Sequence, residues 1–140
     1  SGYQTAVLAR LCRRVYSIER HKPLLEVAQT HFENFKLRNV TAIAGDGMHG
    51  WPEPNEFDRI IVTAAAAEPP LALLDQLKIG GIMIIPVGDQ GKPQVLRRYK
   101  RESDDIYAKQ DLIPVRFVPL LPDVPRTNTY TPADLEEMTA

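Results

Sequence analysis

Apolar and polar positions change their period several times along this chain, and each change marks an element. Residues 5–13 carry Ala6, Val7, Leu8, Ala9, Leu11 and Cys12, helix formers with apolar side chains on most faces. That pattern predicts a helix buried against a sheet. Arg13 and Arg14 close it with the charge a helix C-terminus favours. Val15-Tyr16-Ser17-Ile18 predicts a short buried parallel strand. A second helix starts near Lys22, with Pro23 tolerated in its first turn. Leu25, Ala28, Phe32 and Phe35 follow as one apolar stripe at spacings of three and four. Residues 40–44 predict a second strand, broken by Gly45-Asp46-Gly47, and residues 49–56 a loop containing Trp51, Pro52 and Pro54. Residues 57–63 predict a third strand that emerges into 64–67. Pro69-Pro70 opens a short helix through Leu77 with Leu71, Leu74 and Leu77 on one side. Gly80-Gly81 reads as its cap, and residues 82–87 as a wholly apolar fourth strand.

The rhythm differs after Gly88. Residues 89–93 form a turn-rich loop, residues 94–100 alternate as an exposed strand does, and 102–105 make a charged turn. Residues 106–112 continue extended, and 115–120 give another strand signal. The fold class is therefore α/β, a mostly parallel sheet ending in an antiparallel hairpin. Residues 1–125 read as one domain. Residues 126–140 are a polar, Thr-rich tail, expected to be weakly ordered, with a possible helical turn over 132–138.

Composition narrows the function more than the fold. The 140 residues are 44% hydrophobic and 25% charged, as in an ordinary soluble domain. A net charge of −1 provides no field to recruit nucleic acid or an anionic membrane. The single cysteine, Cys12, excludes an internal disulfide framework and suits a reducing cytoplasm. The strongest apolar stretch, 79–87, is too short to span a bilayer, and no signal peptide is read. The chain starts without Met, as a fragment or processed product does.

Two carboxylates stand out. Glu19 and Asp46 each follow a β-like run, and in an α/β fold the carboxyl ends of parallel strands face the ligand crevice. Together they can accept hydrogen bonds from a ribose and a purine amine, and the glycines flanking Asp46 let backbone approach a ligand closely. A strand-end acid equally suits a nicotinamide dinucleotide, so pattern alone leaves two cofactors open. A non-catalytic interaction module is a third reading. His21, His31 and His49 have no partners at metal-ligand spacing beyond common carboxylates, so no metal site is read. Asp58 reads as a charge at the start of a strand. The basic run 97–101 is followed at once by Glu102, Asp104 and Asp105, which makes it a solvated hairpin rather than an RNA site. Ser1, Ser17 and Ser103 have no recognisable His/Asp partners for nucleophilic catalysis.

Taken in order, Ser1-Gly2-Tyr3-Gln4-Thr5-Ala6, Val15-Tyr16-Ser17-Ile18-Glu19-Arg20, Gly45-Asp46-Gly47, Phe57-Asp58-Arg59-Ile60-Ile61-Val62-Thr63-Ala64-Ala65 and Leu77-Lys78-Ile79-Gly80-Gly81 resemble the motifs of the protein-L-isoaspartate O-methyltransferase family. Ile85-Pro86-Val87-Gly88 and Val115-Arg116-Phe117-Val118-Pro119-Leu120 extend the resemblance to about residue 125. It implies a Rossmann-like methyltransferase fold that uses S-adenosylmethionine to methylate the free α-carboxylate of isoaspartyl residues in damaged proteins. The ester then collapses to a succinimide, whose hydrolysis restores some normal linkages. Carried over, Glu19 accepts from the cofactor ribose, and Asp46 with Gly47 contacts the adenine. Ser1, Gly2 and Gln4 sit beside the methionine part, and Thr63 and Ala64 line the floor near the sulfonium. Val115, Arg116, Phe117 and Val118 lie against the substrate peptide. The implied partners are isoaspartyl-containing proteins and peptides, with neither nucleic acid nor membrane.

One departure from the family pattern sets a further expectation. The family's N-terminal helical region, its acceptor-site Ser, its first central strand and the first half of its glycine-rich turn have no counterpart in these residues, so no catalytic residue is assigned. That strand belongs between the strands ending at Glu19 and Thr63. Its absence exposes two rows of backbone groups, each costing about 1–3 kcal/mol if buried, against a total stability of about 5–15 kcal/mol. The chain alone is expected to be inactive.

Overall fold

The structure, a computed structural model, describes residues 2–89 and 91–121. They divide into two units, 2–47 and 48–121. The tail 126–140 lies outside the described residues.

The first unit is built from helix α1 (Tyr3–Leu11), strand β1 (Val15–Glu19), helix α2 (Lys22–Asn34) and strand β2 (Val40–Ala44). β1 and β2 pair in parallel from Val15↔Val40 to Glu19↔Ala44. Among the described residues this sheet has two strands. Pro23 sits in the first turn of α2, where its missing N–H has no helical partner to lose. α2 buries Leu24, Leu25, Ala28 and Phe32. Phe35, expected on that stripe, caps the helix C-terminus instead and is 63% exposed. α1, expected to be buried against a sheet, has Ala9 as its one buried residue, while Leu11 is 77% exposed. Asn39 ties this helix down by donating from its side-chain amide to the carbonyls of Ala9 (2.8 Å) and Cys12 (3.0 Å).

The second unit opens within a 3-10 turn at Gly47–His49 and, among the described residues, holds a four-stranded sheet in the order β3-β4-β5-β6. β3 (Phe57–Ile61) pairs in parallel with β4 (Leu77–Val87). β5 (Gln94–Ser103) and β6 (Ile106–Val115) complete the expected antiparallel hairpin. β1 to β4 all take part in parallel pairings, and the antiparallel pairings come from the terminal hairpin, as the sequence pattern indicated. Among the described residues β1 and β3 are edge strands of their sheets. The core gathers Leu73, Leu74, Leu77, Met83, Ile85 and Tyr99, with Leu77, Met83 and Ile85 at zero exposure.

Helix α3 (Leu71–Asp75) ends two residues earlier than expected, and its apolar side is Leu73 and Leu74, leaving Leu71 74% exposed. Leu77 already belongs to β4, so Gly80-Gly81 does not cap a helix. Between Phe57↔Leu77 and Arg59↔Ile82, β3 advances two residues (59 − 57) while β4 advances five (82 − 77). β4 therefore bulges at 78–81. Gly80 takes φ +83°, and a Cβ at Gly81 would lie 2.8 Å from the Lys78 carbonyl oxygen, so this bulge needs both glycines. The hairpin is fastened to the end of α3. Arg101 donates to the carbonyls of Asp75 (3.1 Å) and Leu77 (2.7 Å), and the Tyr107 hydroxyl to that of Leu74 (3.2 Å). The basic run 97–101 thus serves the hairpin itself.

Candidate functional site

The sequence-derived site residues fall into both units. In the first, Glu19 ends β1, and its carbonyl accepts the Gly45 N–H at 3.0 Å. That bond continues the parallel ladder one step past Ala44 and brings the Gly45-Asp46-Gly47 turn to the carboxyl end of β1. Glu19 and Asp46 therefore stand at one end of one sheet, both partly buried. The Glu19 Oε1 accepts the His21 backbone N–H at 2.9 Å, which orients the side chain at the head of α2. A carboxylate offers about four acceptor positions, so this bond leaves capacity for a diol. A Cβ added at Gly47 would meet nothing within 4 Å, so backbone is accessible there.

Gly2 is N-cap to α1 with φ +74°, and a Cβ there would lie 2.8 Å from Phe32 and 2.9 Å from Ala28. Only glycine lets this loop lie so close to α2. Gln4 is exposed in the first turn of α1. Ser1 lies outside the described residues.

In the second unit, Thr63 and Ala64 follow β3 just past its carboxyl end. Here the chain leaves the regular ladder but stays held on both edges. Ala65 bridges Pro119, and Ala66 bridges Val87. The Ala65 N–H donates to the Val118 carbonyl, and the Leu120 N–H donates to the Ala65 carbonyl, both at 2.7 Å. Residues 115–120, expected as a strand, are thus the end of β6 at Val115 followed by a segment lying along 64–66. Through Ala65, the chain that follows Thr63 and Ala64 is bonded to Val118 and Leu120, so the two expected segments of this unit meet there.

Two glutamines that sequence reasoning passed over hold irregular backbone in this unit. The Gln76 amide accepts from the Trp51 N–H and donates to the Trp51 carbonyl, each at 2.8 Å. The Gln94 amide does the same to Phe117, accepting at 2.7 Å and donating at 3.2 Å. No local signal marks either one, because partner and glutamine are 25 and 23 residues apart in sequence. Asp58, expected as a charge at a strand's start, makes an exposed ion pair with Lys78 at 3.4 Å. Among the described residues no group of three His, Cys, Asp or Glu side chains could hold a metal ion. No helix among them is long and apolar enough to cross a membrane.

Comparison with known proteins gives this geometry a context. The family model for protein-L-isoaspartate(D-aspartate) O-methyltransferase matches residues 1–124. A protein-L-isoaspartate O-methyltransferase of Rhodospirillum centenum is 55% identical over 125 residues, covering 89% of this chain and 56% of that protein. A solved protein-L-isoaspartate O-methyltransferase superposes with a TM-score of 0.79 at 29% identity, covering 88% of this chain and 40% of its own. A putative Plasmodium falciparum member, solved in complex with S-adenosyl-L-homocysteine, gives 0.67 at 27% identity, covering 86% and 58%. The chain spans about half the length of the curated relatives it matches. These matches establish a Rossmann-like methyltransferase fold and do not favour a nicotinamide-dependent oxidoreductase. By its motifs, its fold and a match along almost all of its described length, this chain belongs to the protein-L-isoaspartate(D-aspartate) O-methyltransferase family.

Proposed function

We propose that this chain forms the nucleoside-binding and acceptor-binding parts of an S-adenosylmethionine-dependent repair enzyme. In this reading the complete enzyme methylates the α-carboxylate of isoaspartyl residues in damaged cytoplasmic proteins. The observation that carries it is the pair of 2.7 Å backbone bonds joining Ala65 to Val118 and Leu120, which sets the expected cofactor floor against the expected acceptor segment. The donor set fits the cofactor: two carboxylates at one sheet end for hydroxyls and an amine, and open backbone at Gly47. S-adenosylmethionine would supply a methyl group on a positively charged sulfur. The residues do the holding. Glu19 accepts from ribose hydroxyls, Asp46 and Gly47 take the adenine, and Ser1, Gly2 and Gln4 flank the methionine part. Thr63 and Ala64 form the floor. Val115, Arg116, Phe117 and Val118 support the acceptor peptide. A carboxylate is already ionised at neutral pH, so the acceptor needs no strong base. Rate enhancement then comes from alignment of the carboxylate oxygen with the methyl group.

The test uses the full product of the gene, with matched peptides differing only in an isoaspartyl or aspartyl linkage. Methyl transfer confined to the isoaspartyl peptide is expected. Glu19→Ala should weaken S-adenosylhomocysteine binding by about 10–100-fold, the loss of hydrogen bonds to a charged group. Equal methylation of both peptides, or undiminished nucleoside affinity in the variant, overturns the assignment.

A further inference from the structure

We propose that Gln94 is a positioning residue for the acceptor peptide, fixing the backbone against which that peptide lies; this rests on the function proposed above. Gln94 starts β5 opposite Val115, the last residue of β6. Beyond Val115 the regular ladder stops, yet Phe117 still has both backbone groups engaged. The Gln94 side chain accepts its N–H at 2.7 Å and donates to its carbonyl at 3.2 Å. One side-chain amide thereby replaces the neighbouring strand that β6 has lost. Gln94 is 7% exposed, the one polar side chain so deeply buried among the described residues. An amide buried to that extent keeps its bonds because nothing else there can replace them.

The bracket belongs to a closed ring. The Gly88 N–H donates to the Ala66 carbonyl at 2.9 Å. Gly88 has φ +147°, and a Cβ there would lie 3.0 Å from the Gln94 Cα, so glycine permits the close approach. Gln94 holds Phe117, and the next residue, Val118, accepts from Ala65, the neighbour of Ala66. The ring links the end of β3 to the acceptor segment through Gln94. The side chains on the held segment stay accessible, Phe117 at 38% and Val118 at 70%. The backbone is thus fixed on both edges while its apolar side chains face outward. That arrangement suits a surface on which another chain must be laid in one register.

The contrasting role is plain satisfaction of buried groups, and Gln76 provides the control. It makes the same two-bond bracket, to Trp51, away from the acceptor segment. In the full gene product, Gln94→Leu, Gln94→Glu and Gln76→Leu are compared by thermal midpoint, S-adenosylhomocysteine Kd and isoaspartyl-peptide KM. Gln94→Leu should raise peptide KM by about tenfold or more, as expected for one to two lost hydrogen bonds, with nucleoside Kd unchanged. Gln94→Glu keeps an acceptor for the Phe117 N–H but not a donor for its carbonyl, so its KM should lie between. It also carries the test if the leucine variant does not fold. Gln76→Leu should lower the midpoint and leave peptide KM alone. If both Gln94 variants lose stability with peptide KM unchanged, Gln94 is structural only and the proposal falls. If the unsubstituted protein shows no isoaspartyl-dependent transfer, the functional reading falls and takes the proposal with it.

Discussion

The two units carry different halves of one proposed chemistry on very different foundations. The first, with Glu19 and Asp46, rests on a two-stranded parallel sheet and one well-buried helix face, and its buried apolar residues retain 6–9% exposure. The second, with the acceptor segment, has four strands and three side chains at zero exposure. Two strands alone are marginal in water, whereas four with a packed face can support themselves. The comparison teaches that the carboxylates identifying the family sit on the less self-sufficient part. The backbone proposed to face the peptide sits on the part with the fully enclosed core. Ligand sites are commonly drawn from the low end of local stability. Amide exchange should accordingly be faster in β1 and β2 than in β4.

The largest expected effect breaks the stronger side of that comparison. Ile85→Ala removes a fully enclosed side chain of β4 and should cost about 2–5 kcal/mol, as buried aliphatic truncations do. Urea unfolding followed by the fluorescence of Trp51, the single tryptophan and a buried residue of this unit, reads it directly. A loss below about 1 kcal/mol would mean that this core is not tightly packed.

Gly2→Ala tests the weaker side. The substitution places alanine at φ +74°, costing about 1–2 kcal/mol for the left-handed conformation, and forces Phe32 to move. Exchange at α2 amides should accelerate while the Trp51 midpoint stays put. A matching drop in the Trp51 midpoint would show the units unfolding together and dissolve the contrast drawn here.

How far these differences could be read in advance varies by element. β2 matched its pattern to the residue, and α2 and β1 nearly so, because period and punctuation agree there. The placement of Glu19 and Asp46 at one sheet end was legible for the same reason: each follows an apolar run. The Leu77 to Gly81 stretch misled because a one-turn helix, a strand start and a bulge all draw on the same residues. The bulge is visible only once Gly81 is seen against the Lys78 and Phe57 carbonyls. Phe35 continued the helical spacing but lies at the cap, where the chain turns its side chain out. Gln76 and Gln94 were illegible because an amide's value depends on which distant backbone it meets.

The smallest effect concerns the far edge of the stronger unit. Asp111 on β6 pairs with Arg97 on β5, and the hydrogen bond from Arg97 holds its carboxyl below the ordinary value of 3.8. A depressed carboxyl contributes stability above its unfolded value and loses it as pH falls through the folded one. Asp111→Asn should therefore be slightly less stable than the parent at neutral pH. The gap should close below about pH 4 and shrink in high salt, since Asp111 is exposed and screened. Thermal midpoints of both proteins, measured between neutral and acid pH, decide it. A gap that persists in acid would mean the asparagine perturbs packing rather than charge. A large gap at neutral pH would transfer part of this unit's stability from its enclosed core to its surface, and the contrast with the two-stranded unit would then need a different cause.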